Sequence, residues 1–359
     1  MPNITAPARR RPFVVLAAAG ALLALASCGA QTLARVQVTN TVGPAVAVKK
    51  TAPPAPVVPA AWPLTGVPGN VANRPALAVK VENPREARPQ AGLEQADIVW
   101  EEVVEGGVTR LVAVFQSEVP GDVGPIRSVR PMDPAIVAPM HGLIAFSGGQ
   151  AGFVNALKAA GVQTLSNDAG NAGFRRTKNH AAPHNVYGTP AVFWSQASAD
   201  RTSPPPAQFP YARHAELATA AVAGTPASSV QIRMSGYSQP GWTWDAPSAT
   251  WLRLEAGTAA TSASGARLAA TNVITLRVVL VDSGTRDPAG SVVPETKLTG
   301  TGEALVATGG KALPATWTKT ATDTPLVLTA ADGQVIKLAP GKTWIELVPT
   351  SGGGSVTVG

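Results

Sequence analysis

The chain of 359 residues holds one cysteine, Cys28, and this constrains the fold more than any other feature. A lone thiol cannot close an internal disulfide, so everything after it must be held by its apolar core. The roughly 300 residues that follow are ample for one large or two ordinary domains. The position of the cysteine is equally informative. Arg9, Arg10 and Arg11 form a basic patch, and an apolar run from Phe13 to Ala26 follows, broken only by Gly20. About fourteen apolar residues are too few to cross a hydrocarbon core of roughly 30 Å as a helix. A basic patch, a short apolar stretch and small residues at its end are the parts of a secretory signal.

That stretch ends Leu25-Ala26-Ser27-Cys28, which resembles the lipobox of bacterial lipoprotein precursors at every position. The resemblance implies a signal peptide over 1–27, acylation of the Cys28 thiol, and a protein held by lipid on the extracytoplasmic face of the cell membrane. The alternative is an ordinary cleaved signal with a chance cysteine. The formal charge is +7, and removal of residues 1–27, with three arginines and no acids, leaves about +4. No block of lysine and arginine with interleaved aromatics occurs, so a nucleic-acid partner is not expected.

Residues 28–61 are rich in Ala, Val, Thr and Pro, with Pro53, Pro54, Pro56 and Pro59 close together. In extended form, at about 3.1 Å per residue, such a tether reaches on the order of 100 Å. From Trp62 the texture changes. Strand signals cover 75–81, 96–104, 108–115 and 143–147, with Glu105-Gly106-Gly107 as the turn between the second and third. A helix signal covers 151–160 and closes at Gly161. Residues 196–210, with Ser203-Pro204-Pro205-Pro206, form a breaker stretch. The rest is strand-like, and Asp332-Gly333 marks a hairpin. The expected class is α+β: a mixed α/β N-terminal domain over 62–200, then a mainly antiparallel β domain over 211–350.

Four segments in order resemble the YerB-like lipoproteins, a bacterial family of unknown function. They are residues 87–99, 104–110, 123–130 and 182–187; Trp317-Thr318-Lys319, Asp332-Gly333 and Pro340 to Pro349 extend the likeness into the tail. The resemblance implies a membrane-anchored envelope protein with N- and C-terminal parts. It implies no reaction.

Polar residues that could carry chemistry gather in three places: Glu101, Glu102, Glu105 and Arg110; Arg127, Ser128 and Arg130; and Arg175, Arg176, His180, His184 and Asn185. Arg127 and Arg130 follow a Gly-Pro turn, and guanidinium forks suit a carboxylate or phosphate. Arg175 and Arg176, together with the backbone of Ser147-Gly148-Gly149 before a helix, could complete an anion site. The competing reading pairs the arginines with Glu101, Glu102 or Glu105 as structural salt bridges, and gives the glycines to a tight turn. His184 is the candidate acid–base group, with Glu101, Glu102 or Glu105 as its orienting carboxylate; the competing reading is a hydrogen-bonded structural histidine. His180 and His184 have helical spacing, but Pro183 opposes the helix that would align them on a metal. Trp242, Trp244 and Trp251 are read as core, with sugar stacking as the alternative. No metal or cofactor is expected.

Two functional readings stay open. The first is a binding or regulatory module for peptidoglycan, another wall component or a wall-synthesis protein. The second is a wall-active hydrolase or transferase built on a His/carboxylate pair, which requires His184 and its carboxylate to share one site.

Overall fold

A computed structural model describes residues 59–178 and 180–359. The signal segment, Cys28 and nearly all of the expected tether lie outside the described residues. The described residues form one compact unit.

In the first half the strands are β1 (Leu77–Glu82), β2 (Ile98–Val103), β3 (Thr109–Phe115), β4 (Leu143–Phe146), β5 (Gln163–Ser166), β6 (Phe174–Arg176) and β7 (Val186–Gly188). The helices there are α1 (Asp133–Val137), α2 (Ala151–Ala159) and α3 (Pro190–Trp194). The second half opens with α4 (Thr219–Ala223) and continues through β8 (Thr225–Pro226), β9 (Ser229–Arg233), β10 (Pro240–Asp245), β11 (Thr250–Glu255), β12 (Thr258–Ala259) and β13 (Ala269–Ala270). It ends with β14 (Asn272–Arg286), β15 (Val292–Lys297), β16 (Gly300–Thr308), β17 (Lys311–Lys319), β18 (Val327–Thr329), β19 (Thr343–Pro349) and β20 (Ser355–Val358).

A twelve-stranded mixed sheet runs in the order β18-β17-β16-β14-β19-β2-β3-β1-β4-β5, with β15 added to β14 and β8 to β17. β19 lies parallel to both β14 and β2, so the sheet passes without a break from one sequence half into the other. The proline-rich stretch at 203–206 lies outside helix and strand, yet the two halves share this hydrogen-bonded sheet. The expectation of α/β layering in the first half is too helical: α1 and α3 have five residues each and α2 nine. In the second half, the parallel pairing of β14 with β19 departs from the antiparallel pattern.

Strand alternation divides the central strands between two cores. Ala78, Ile98, Trp100, Val112, Ile345 and Leu347 face one way, onto α1, α2 and Trp317. Val79, Val99, Val103, Leu111, Trp344 and Val348 face the other, onto a six-stranded sheet ordered β12-β11-β10-β9-β20, with β13 added to β11. Burial on both faces explains why β1, β2, β3 and β19 read as nearly continuous apolar runs. It also explains how the unit dispenses with disulfides: side chains as large as Trp242, Trp251, Phe115 and Phe146 are fully buried.

Candidate functional site

The charged residues of β1, β2 and β3 gather toward one end of these strands. Glu82 lies opposite Arg110, and Arg110 lies opposite Glu102, so these side chains and Lys80 share the face that looks toward α1. Lys80 is wholly buried; its ammonium donates to Asp133 Oδ1 at 2.6 Å and to Glu102. Asp133 in turn accepts from the Arg130 backbone N–H at 2.6 Å, which ties the buried ion cluster to the arginine loop. Burial, and then the neighbouring Asp133, push the Glu102 carboxyl up to about 7, against the pull of Lys80.

The loop that carries Arg127 to Arg130 closes over this end. Arg127 Nε donates to Glu82 Oε1 at 2.7 Å, and His184 Nδ1 lies 2.8 Å from Glu82 Oε2. Arg130 forms a two-pronged pair with Glu105, with Nη2 to Oε2 at 2.6 Å. Arg110 has weaker partners: the Ser128 carbonyl at 3.0 Å, and Glu105 at 3.7 Å. Burial and the adjacent Arg130 push the Arg110 guanidinium down to about 10, against Glu105. Three guanidiniums thus meet at this end of the strands, paired with Glu82 and Glu105 and backed by the Lys80–Glu102–Asp133 cluster. Arg127 and His184 reach solvent, with 29% and 23% of their side chains exposed.

The Ser147-Gly148-Gly149 turn packs against the same loop. Ser147 N–H donates to the Arg127 carbonyl at 3.1 Å, and Val129 N–H donates to the Gly148 carbonyl at 3.2 Å. Gly148 has φ of +90°, and a Cβ there would sit 2.3 Å from Ser128 Oγ, so this turn requires glycine. Tight-turn geometry therefore accounts for the glycines, and the Ser147 N–H is already committed to the protein.

Arg175 and Arg176 make none of the cluster's contacts. They are successive residues of β6; Arg175 pairs with Asp122, and Arg176 Nη1 donates to Asn185 Oδ1 at 2.8 Å. The carboxylate expected for His184 also needs correction. Glu101 and Glu102 alternate to opposite faces, Glu102 takes Lys80, and Glu105 takes Arg130. The partner of His184 is Glu82, a residue the sequence reading passed over because it ends a strand that looked like core.

On the opposite face Glu101 meets a second buried cluster. Arg253 of β11 donates to Glu101, to Glu255 Oε1 at 2.7 Å and to Glu346 Oε1 at 2.8 Å. Its guanidinium packs on the rings of Trp242 and Trp344, at 5.4 and 4.5 Å from their centroids. Trp242 and Trp251 are buried as core. Glu101 and Glu346 are register neighbours. Burial and then Glu101 push the Glu346 carboxyl well up, whereas Arg253 and hydrogen bonds outweigh burial at Glu101 and hold it down. Beyond Arg253 lies a cleft of about 810 Å³.

Residues 64–203 match the family described as "Protein of unknown function (DUF3048) N-terminal domain", and residues 230–345 match its C-terminal domain. The chain belongs to the DUF3048 family. Over 128 residues, 35% of this chain, it is 36% identical to a Bacillus subtilis (strain 168) protein named "Putative lipoprotein YerB", and that stretch spans 39% of the relative's length. The crystal structure of the YerB protein from Bacillus subtilis has a similar fold, with a TM-score of 0.70 at 24% identity, covering 84% of this chain and 100% of that one.

Proposed function

We propose that this DUF3048 protein is a membrane-anchored envelope lipoprotein that binds an anionic group of a cell-wall component at the arginine loop. The observation that carries this reading is the gathering of Arg110, Arg127 and Arg130 at one loop, with Arg127 open to solvent. A carboxylate or phosphate at this loop meets guanidinium donors already fixed in place, so little conformational entropy is lost on binding. The Leu25-Ala26-Ser27-Cys28 signal and the naming of the Bacillus relative support the anchor. Among the described residues no helix is long and apolar enough to cross a membrane. The attachment this reading requires is a lipid on Cys28.

The test is Arg127→Ala. Its guanidinium is the most exposed of the three, and a charge-assisted bond contributes roughly 1.5–3 kcal/mol. Binding to soluble wall fragments, and to inorganic phosphate as the minimal probe, is expected to weaken about ten- to a hundredfold with an unchanged melting temperature. Unchanged binding in a folded variant removes the proposal. For the anchor, Cys28→Ser is expected to leave an unprocessed precursor or a released protein; a variant of mature size still on the membrane contradicts it.

The His184–Glu82 pair supports a second reading, a wall-active hydrolase with His184 as general base and Glu82 orienting it. The nearby Ser128 hydroxyl donates to the Ser147 carbonyl at 3.2 Å, so this reading rests on an activated water. Turnover of wall fragments that vanishes in His184→Ala, with binding retained, favours it.

A further inference from the structure

We infer a second binding site, distinct from the arginine loop: the cleft of about 810 Å³ beyond Arg253 takes an uncharged sugar chain. Its volume falls within the roughly 300–1,000 Å³ of small-molecule sites. Three observations point to this ligand class.

The first is charge. The charged residues that line the cleft are Arg85, Glu86, Arg88, Arg253 and Glu255. Arg88 Nη2 lies 2.9 Å from Glu255 Oε2, and Arg253 is held by Glu255 and, from beneath, by Glu101 and Glu346. With both guanidiniums paired, the cleft offers little free charge to an ionic ligand, and its polar groups suit hydroxyls and amides.

The second is Tyr237, which lines the cleft and is 82% exposed. Its loop is fixed, because the Ser235 hydroxyl accepts the backbone N–H groups of Tyr237 and Ser238, each at 3.0 Å. The ring also lies against Gly107, where a Cβ would come within 3.3 Å of it. A large aromatic ring open to solvent on a fixed loop is a ready stacking platform for the apolar face of a sugar.

The third is Trp344, which lines the cleft at 3% exposure while its indole N–H has no hydrogen-bond partner among the described residues. A buried unpaired donor is costly, and a small shift of the lining that opened it to the cleft would let a ligand hydroxyl or acetamide carbonyl satisfy it. The planar side chains of Asn83 and Gln90, also in the lining, hydrogen-bond to one another at 2.8 Å. They extend the polar wall without adding charge.

The experiment is calorimetric titration of the folded protein with chitohexaose, with cellohexaose to separate acetamide from hydroxyl recognition and a wall stem peptide as the competing class. Chitohexaose is expected to bind. Tyr237→Ala should weaken it about threefold to tenfold, the share of an aromatic contact, with an unchanged melting temperature. Trp344→Phe keeps the ring over Arg253 and removes only the N–H, and is expected to weaken binding up to about tenfold. Arg127→Ala should leave sugar binding intact, so failure of the anion site and failure of this site are distinguishable. Absence of binding to both sugars overturns the inference. So does binding that Tyr237→Ala leaves unchanged, or binding of the peptide alone.

Discussion

The two faces of the central strands solve opposite electrostatic problems with residues that are neighbours in sequence. Glu102, Arg110 and Glu82 go to the face under α1, where Lys80, Arg110, Arg127 and Arg130 meet Glu82, Glu102, Glu105 and Asp133, and Arg127 reaches solvent. Glu101, Thr109 and Asn83 go to the other face, where three glutamates surround the buried Arg253 and burial and Glu101 push the Glu346 carboxyl well up. A partly exposed guanidinium keeps donors for an anion, while carboxyls crowded around a sealed guanidinium favour the protonated form. One period-two alternation therefore separates two ion clusters of different composition, on which the two proposed sites rest.

Deleting the central cation on each face is the most damaging way to probe this difference. Arg253→Met leaves Glu101, Glu255 and Glu346 without their shared partner, and is expected to destabilise by about 3–5 kcal/mol. Lys80→Met leaves two carboxylates, Glu102 and Asp133, where Arg253→Met leaves three, so the cost should be smaller. Urea denaturation of both variants at pH 7 measures the order. A greater loss in Lys80→Met breaks the comparison.

Titration sharpens it further. The Glu102 carboxyl, ordinarily near 4.5, is raised to about 7 in the folded chain by burial and Asp133, with Lys80 and Arg110 opposing. Between these values the folded state holds a proton that the unfolded state has released. Stability from this group is full below about 4.5 and is lost as pH rises through about 7. At about 1.4 kcal/mol per pH unit, the loss amounts to a few kcal/mol. Melting temperatures across pH 4.5–8 are expected to show a decline that Glu102→Gln reduces. Glu346 is shifted in the same direction on the other face, so Glu346→Gln should remove a separate share. A Glu102→Gln profile matching the unmodified protein contradicts this assignment.

The smallest stability effect belongs to the residue with the proposed binding role. The Arg127 side of its pair with the buried Glu82 is partly exposed, and Glu82 keeps its contact with His184 at 2.8 Å when Arg127 is removed, so the expected cost is about 1 kcal/mol. Arg127→Ala is therefore expected to melt within a few degrees of the unmodified protein. A loss as large as that of Lys80→Met would make Arg127 a structural ion-pair residue.

Much of this architecture was legible in the residues. The hairpin of β2 and β3, with Gly106 and Gly107 at positive φ, follows from two apolar runs around a glycine pair. The helix from Ala151 and its stop at Gly161 also follow from local signals. The seam between the halves was not legible. Nothing local in Thr343–Pro349 says that this strand inserts between β14 and β2, because parallel pairing across some 240 residues leaves no short-range signature. The partner of His184 was missed for a related reason. Val79-Lys80-Val81-Glu82 reads as the end of a core strand, and only the loop crossing from residues 126–130 shows that Lys80 and Glu82 become buried ion-pair centres. Grouping Glu101 with Glu102 ignored the alternation that separates them.

The most direct test of two sites on two faces is a crossed titration. Inorganic phosphate and chitohexaose are each titrated onto the unmodified protein, Arg127→Ala and Tyr237→Ala. Arg127→Ala is expected to lose phosphate about ten- to a hundredfold while keeping the sugar, and Tyr237→Ala to lose the sugar about threefold to tenfold while keeping phosphate. Either folded variant losing both ligands, or neither variant losing one, would contradict the account.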